Sequence, residues 1–338
     1  MTSLPTRALG ASGLEISSLG FGSWATGGGG WAFGWGPQDD AQSIAAIHHA
    51  VDLGITWIDT AAVYGLGHSE EVVGRAVRAL PADARPLVFT KCALEWDPAD
   101  PMAATRRIAT PHTVRHGIEG SLRRLGMDAV DLFQIHWPDD EGNPVEEAWA
   151  EMVKLRDEGM ARAIGVSNFD VALLERCEAV GHVDSLQPPF SLIQRETALE
   201  LLPWARAHGT GVLCYSPMGS GLLTETFSAA RVAAFAKDDW RRRPPMFKEP
   251  QLSRNLALRD ALRPIAVRHD TSVPAVAIAW VTSWAGVSGA IVGARSPEQV
   301  DGWIGAAAVT LTDEDMDEIA TAVSAFGADG GPADPRRG

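Results

Sequence analysis

Tyrosine is nearly absent from this chain: its 338 residues contain two, Tyr64 and Tyr215, against twelve tryptophans. Cysteine is also scarce. Cys92, Cys177 and Cys214 are the three present, with no CxxC spacing, which excludes a disulfide framework and points to a reducing compartment. No apolar run approaches the ~18 residues of a membrane span, and the opening "MTSLPTRALG" lacks the apolar segment of a secretory signal. A cytoplasmic protein without a membrane partner is the expectation. Excess positive charge is missing as well: 29 Lys and Arg stand against 43 Asp and Glu, a net charge of -14. Such a surface repels phosphate backbones and excludes nucleic acid as a partner; a phosphorylated ligand would need a local basic pocket.

What the chain does have is apolar content, 46%, arranged in a regular alternation. Short runs rich in apolar residues lie at 19–23, 56–60, 87–91, 130–137, 162–168, 185–190, 211–216 and 289–293. Between them are helix-like stretches at 39–53, 69–79, 111–125, 145–158, 170–180, 196–208 and 253–285, whose apolar positions recur at three and four. Gly54 is a candidate C-cap; Thr110, Pro111 and Gly126 mark the start and stop of one helix. Strand and helix in alternation imply a parallel sheet, and eight units predict a closed α/β (β/α)₈ TIM barrel, with an open doubly wound sheet as the second choice. One barrel domain is expected over 1–327. The segment from Leu4 carries a turn at Ser12-Gly13 and is expected to form a hairpin across the barrel floor. A Gly/Trp loop, "GGGGWAFGWGPQ" (27–38), follows the first strand, and 217–252 after the seventh is long enough to act as a lid. Two further helices are expected at 297–306 and 313–325, then a disordered tail at 328–338.

In a parallel barrel, chemistry sits at the C-terminal strand ends. Asp59, Lys91 and His136 fall there on successive strands, and Tyr64 lies in the loop after Asp59. Each alone has an ordinary reading: a helix cap, a solvated lysine, a structural histidine. On one rim they form a proton-donating set. A free phenol titrates near ~10; an adjacent ammonium is expected to lower that value, and a carboxylate paired with the lysine to keep it charged and placed. His136 can orient a substrate oxygen or assist the transfer. Such a tyrosine can protonate an oxygen that gains negative charge, as in carbonyl reduction.

"DTAAVYGLGHSEEVVG", "VFTK", "QIHWP", "IGVSNF", "YSPMGSGLL" and "GARSPEQV" occur in the order found in the aldo-keto reductase family, spanning roughly residues 7 to 325. The chain resembles that family. The resemblance implies a barrel that binds NADP(H), with NAD(H) as the second choice, and reduces a small carbonyl compound by direct hydride transfer without a metal. Asp59, Tyr64, Lys91 and His136 match its catalytic four. It further implies a cofactor site at Gly22, Ser23 and Trp24, with Ser167, Asn168 and Gln187 on the nicotinamide carboxamide and Tyr215 stacked on the ring. Asn168 and Asp170 could equally cap the next helix. Backbone amides of Ser216, Met218, Gly219 and Leu222 are expected along the pyrophosphate. Gly293, Arg295 and Gln299 are expected at the adenosine end, where an arginine favours a 2′-phosphate. Where many members carry Glu-Asn, this chain has Gly302 and Trp303, so adenine is expected on Trp303 or elsewhere. Trp24, Trp96 and Trp137, with a tryptophan of 27–38, are expected to wall the substrate pocket.

Other signals weigh less. "GLGHSE" lacks the third glycine of a dinucleotide fingerprint. His112 and His116 have zinc-protease spacing, but Thr113 occupies the place of the glutamate. "RRRPP" (241–245) reads more readily as a solvated basic run than as a phosphate contact, and Cys92 and Cys214 as packing residues. The alternatives to a reductase are an NAD(P)-dependent alcohol or sugar dehydrogenase working oxidatively, and a non-enzymatic NADPH-binding regulatory subunit. A barrel hydrolase would need paired carboxylates or a metal at the rim.

Overall fold

The computed structural model describes residues 4–236, 239–327 and 330–337, beginning with an antiparallel hairpin of β1 (Thr6–Ala8) and β2 (Glu15–Ser17). Strands and helices then alternate: β3 (Leu19–Gly22), α1 (Asp40–Asp52), β4 (Trp57–Asp59), α2 (His68–Ala79) and β5 (Leu87–Cys92). A short ribbon, β6 (Leu94–Glu95) with β7 (Arg106–Arg107), precedes α3 (Pro111–Leu125), β8 (Val130–Ile135), α4 (Val145–Asp157), β9 (Ala161–Ser167), α5 (Val171–Glu178) and β10 (Ser185–Gln187). Next come α6 (Leu201–His208), β11 (Gly211–Tyr215), α7 (Ala229–Ala233), α8 (Gln251–Ala261), α9 (Arg263–Arg268) and α10 (Val273–Thr282). The chain ends with β12 (Val287–Gly293), α11 (Pro297–Ile304) and α12 (Asp313–Phe326). β3, β4, β5, β8, β9, β10, β11 and β12 pair in that order, and β12 pairs back with β3. The sheet is the closed barrel expected from the alternation, and the open-sheet reading falls.

The barrel is filled from below. Leu9, Leu14 and Ile16 of the hairpin region cluster with Trp57, Phe89, Leu132 and Leu213 from the strands, all essentially inaccessible. Trp57 occupies the centre, tied by its Nε1–H to the Ser17 carbonyl at 2.9 Å. Its indole decides two neighbours. A β-carbon on Gly20 would sit 2.2 Å from the ring, and one on Gly289 2.9 Å from it, so neither strand can carry a side chain there.

Capping follows the sequence closely at α3. Thr110 and Thr113 form a reciprocal capping box, Pro111 opens the helix, and Gly126 closes it at φ +66°. The stretch 253–285 departs from the expected single helix. It divides into α8, α9 and α10, with Pro264 in the first turn of α9, Pro274 in that of α10, and Asp270 at φ +47° between them. Proline lacks the N–H that an unbroken helix would need and clashes with the preceding turn. The tail also differs from expectation. Trp280 Nε1 of α10 donates to the Ala333 carbonyl at 2.9 Å, and Arg195 Nε to that of Gly331 at 3.1 Å. Arg336 reaches Asp313 and Asp317 at the start of α12. Nearly every residue of α10 is buried; a helix apolar all round must be covered, and residues 330–337 help cover it. Residues 328, 329 and 338 of that expected tail lie outside the described residues.

Among the described residues no helix is long and apolar enough to cross a membrane. Gly20→Ala is expected to lower stability by about 1–3 kcal/mol, the usual cost of overpacking a filled core. A lower denaturant midpoint at unchanged slope would show it, and an unchanged midpoint would contradict the role given to Trp57.

Candidate active site

β4 ends at Asp59, and the next strand carries Lys91 near its own C-terminal end. Their side chains meet inside the barrel mouth: Lys91 Nζ lies 2.5 Å from Asp59 Oδ1 and 2.9 Å from the Thr60 carbonyl. The second carboxylate oxygen of Asp59 accepts from Gln187 Nε2 of β10 at 2.9 Å. After Asp59 the backbone turns sharply, with positive φ at Gly65, Leu66 and Gly67. Gly27 of the Gly/Trp loop abuts this turn so closely that a β-carbon on Gly65 would meet its carbonyl oxygen at 2.3 Å. The turn brings the Tyr64 ring over Lys91, with Nζ 5.2 Å from the ring centroid. His136 follows β8; its ring centroid is 5.7 Å from that of Tyr64, nearly edge-on. Trp24 stacks against Tyr64 from the other side at 6.0 Å. The four residues read from the sequence are therefore one cluster.

The electrostatics differ from the expected lowering of the phenol. Burial, followed by the negative charge of Asp59, holds the Tyr64 phenol well above its ordinary value. The Lys91 ammonium, 5.2 Å from the ring centroid, does not reverse this. Burial also lowers the Lys91 ammonium, with Asp59 and Glu70 pulling the other way. His136 is driven well below its ordinary range by burial and then by the Lys91 charge, so its imidazole is neutral. The site thus holds a protonated phenol beside a neutral histidine, a state suited to giving a proton.

Behind it lies a second layer. Ser23 Oγ donates to the Asp59 carbonyl at 3.0 Å and lies 2.9 Å from Ser69 Oγ. Asn168, at φ +63°, joins three strand ends: its Nδ2 donates to the His136 carbonyl and Ser167 Oγ, both at 3.0 Å, and its Oδ1 accepts from the Tyr215 hydroxyl at 2.8 Å. Asp170 caps α5 by accepting from Leu173 N at 2.9 Å, so the capping role belongs to it and not to Asn168. Glu70, fully buried, accepts from Thr90 and Arg124 at 2.5 and 2.6 Å. It is part of the "GLGHSEE" stretch, yet nothing in the pattern marked it as a support for the strand carrying Lys91.

Above the cluster opens a cavity of about 1160 Å³, running from Tyr64 to Trp303. That exceeds the roughly 300–1,000 Å³ of an ordinary ligand pocket.

A model of the aldo/keto reductase family matches residues 18–324. The chain is 36% identical over 91% of its length to aldo-keto reductase YhdN of Bacillus subtilis, covering 90% of that protein. It is 32% identical to an NADH-specific methylglyoxal reductase of Escherichia coli, covering 93% of this chain and 98% of the relative. The solved glycerol dehydrogenase AKR11B4 from Gluconobacter oxydans superposes with a TM-score of 0.85 at 38% identity, covering 96% of this chain and 97% of that one. This chain belongs to the aldo-keto reductase family.

Nicotinamide cofactors serve this family, and the residues present fit one. Gly302 lines the cavity with open space where a side chain would stand, and the buried Trp303 beside it has an indole N–H without a hydrogen-bond partner among the described residues. Gly22, Ser23, Trp24, Ser167, Asn168, Gln187 and Tyr215 face the same space, as do Ser216, Met218, Gly293, Arg295, Gln299 and Trp137. Three expected residues do not. Trp96 packs against the Trp31, Ala61 and Val63 cluster. Gly219 and Leu222 are buried, and their amides donate within the turn, to Ser216 O at 2.9 Å and Gly219 O at 3.2 Å. Arg295 is engaged: its Nε donates to Gln38 Oε1 at 2.6 Å and its terminal nitrogens to the carbonyls of Trp35 and Pro37. Gln299 Oε1 accepts from the Arg295 amide at 2.9 Å.

The basic run is solvated as expected at Arg242 and Arg243, which are exposed, but not at Arg241. Arg241 is buried against Asp239 and over Trp35, Arg242 donates to the Phe235 carbonyl, and Arg243 to that of Ala32. Trp240 stacks on Trp24 at 5.0 Å. Trp240 and Arg231 of the insertion line the cavity without having been singled out; only a fold shows that 217–236 and 239–252 return to it, residues 237 and 238 lying outside the described residues. His112 and His116 stack on the outside of α3.

Neutral His136 gives a pH signature. Below its ordinary value near 6.5 the unfolded chain binds a proton that the folded protein refuses, so this stability is full above that pH and falls as pH drops. His136→Asn is expected to remove up to about 1.4 kcal/mol per pH unit from the acid-side slope. Parallel stability curves for both proteins between pH 6.5 and 4.5 would contradict a buried neutral imidazole.

Proposed function

We propose that the protein is a nicotinamide-dependent carbonyl reductase, with Tyr64 as the acid that protonates the substrate oxygen. One observation carries the reading: a phenol held protonated by burial sits over a buried Lys91–Asp59 pair, beside neutral His136, at the foot of a large cavity. A protein that only bound the cofactor would have no use for a buried ion pair beneath a phenol, since removing two charges from water costs several kcal/mol each.

The nicotinamide, when bound, supplies the hydride. The chain supplies the rest. Asn168 and Gln187 line the cavity beside Tyr215 and are placed to orient the carboxamide. Tyr64 O–H meets the carbonyl oxygen and releases its proton as negative charge grows there. Lys91 beneath the ring stabilises the phenolate left behind, and Asp59 keeps that ammonium in place. Neutral His136 orients the same oxygen. Trp24, Trp137 and Trp240 exclude water from the reacting atoms. NADP(H) is the cofactor read from the basic adenosine end, with NAD(H) second. Small aldehydes and ketones are the substrates, with methylglyoxal, and glycerol in the reverse direction, the natural first trials given the activities named for two relatives.

Tyr64→Phe is expected to lower kcat/KM for aldehyde reduction by about 10²–10⁴-fold, the usual contribution of a positioned acid, with NADPH still quenching tryptophan fluorescence. A variant that reduces aldehydes at the full rate would remove Tyr64 from the reaction.

A further inference from the structure

One layer below the rim, the barrel holds a polar residue that does not reach the cavity. Gln134 lies two positions before His136 on β8, in register with Lys91 of β5. It is fully buried and is not part of the cavity wall. Its Nε2 has no hydrogen-bond partner among the described residues. A buried donor left unmet bears the full cost of its desolvation, whereas an apolar side chain of the same shape would bear none. Leu132, two positions earlier on the same strand, already belongs to the apolar cluster around Trp57. Packing alone does not call for an amide here.

The oxygen is the occupied end of this side chain. Gln134 Oε1 accepts from Ser185 Oγ at 3.3 Å and from Gln187 Nε2 at 3.4 Å, both on β10. β9 stands between β8 and β10, and it carries Gly165 in register with both Gln134 and Ser185. A β-carbon on Gly165 would come within 2.6 Å of Ser185 Oγ. The missing side chain therefore leaves open the path by which the amide reaches across β9. Gln187 Nε2 carries two hydrogens. It donates one to Asp59 Oδ2 at 2.9 Å and the other to Gln134 Oε1. The bond to Asp59 is the shorter and stronger of the two; Gln134 restrains the direction in which the amide can turn. Gln187 lines the cavity, so an unrestrained amide would have open space to turn into.

We propose that Gln134 is a positioning residue for the Lys91–Asp59 pair, acting through Gln187 across the gap at Gly165. Without it, Gln187 turns its N–H groups toward the cavity, and Asp59 loses one of its two side-chain donors. A buried carboxylate with an unfilled acceptor no longer has one fixed place, and the ammonium beneath Tyr64 loses its fixed counter-charge. The inference rests on the role given to that pair in carbonyl reduction above.

Gln134→Met keeps the length of the side chain and removes both the acceptor and the unmet donor. It is expected to lower the single-turnover rate of aldehyde reduction by about tenfold, the weight of one hydrogen bond to a charged group. The NADPH Kd from tryptophan quenching is expected to stay unchanged, and the denaturant midpoint to stay or rise. In a cycle with Gln187→Met, adding Gln134→Met is expected to cost nothing beyond the loss from Gln187→Met alone. A full rate in Gln134→Met, or losses that multiply in the double variant, would overturn the proposal and leave the reductase reading standing. A slower rate together with a lower midpoint would make Gln134 a packing residue and would overturn it as well. If the wild type reduces no aldehyde with either cofactor, the reductase reading fails and the proposal fails with it.

Discussion

The ion pair between Lys91 and Asp59 governs this structure. Both side chains are almost wholly withdrawn from water, which is unfavourable unless every donor and acceptor is met. The requirement is satisfied by distant parts of the chain. Thr60 offers its carbonyl to the ammonium, and Gln187, 128 residues away in sequence, donates to the free carboxylate oxygen. A closed sheet is the means of bringing β10 across the mouth to β4. The barrel is thus a frame that holds one lysine under one phenol, and the shift of each titrating group follows from that placement.

Floor and roof serve the same end. From below, Trp57 and the hairpin residues fill the barrel so tightly that Gly20 and Gly289 have no room for a side chain. From above, the Gly/Trp loop and the insertion join into one wall through the Trp24–Trp240 stack, Arg241 over Trp35, and Arg243 on the Ala32 carbonyl. Dry packing on both sides raises the effective strength of charges between them. The rarity of tyrosine acquires a physical meaning here. Tyr64 supplies the phenol that gives a proton, and the Tyr215 hydroxyl ties Asn168 in place; the wall around them is built from tryptophan.

Much of this was legible in the sequence because it is local. Strand ends, the Thr110–Pro111 start of α3, and the cluster of Asp59, Tyr64, Lys91 and His136 depend on spacing and on one rule about barrel rims. What was not legible depends on three-dimensional return. Two prolines divide 253–285, but their consequence depends on the turn at Asp270. Trp96 was expected in the pocket, and it packs against the cluster of Trp31, Ala61 and Val63 instead, because aromatic composition does not say which way a loop folds. The sign of the Tyr64 shift was missed for a similar reason: nothing in the spacing shows how deeply the ring is buried, and burial, with the Asp59 charge second, raises the phenol despite the nearby ammonium. Arg241 read as solvated, like its exposed neighbours Arg242 and Arg243, because nothing in the run shows the Asp239 carboxylate and the rings that bury it.

The most direct measurement is a double-mutant cycle on Asp59 and Lys91, with kcat/KM for aldehyde reduction determined for Asp59→Asn, Lys91→Met and the combined variant. If the two act as one unit beneath Tyr64, the combined loss will be no larger than that of the worse single change. Losses that simply multiply would show the residues acting independently and would contradict the account.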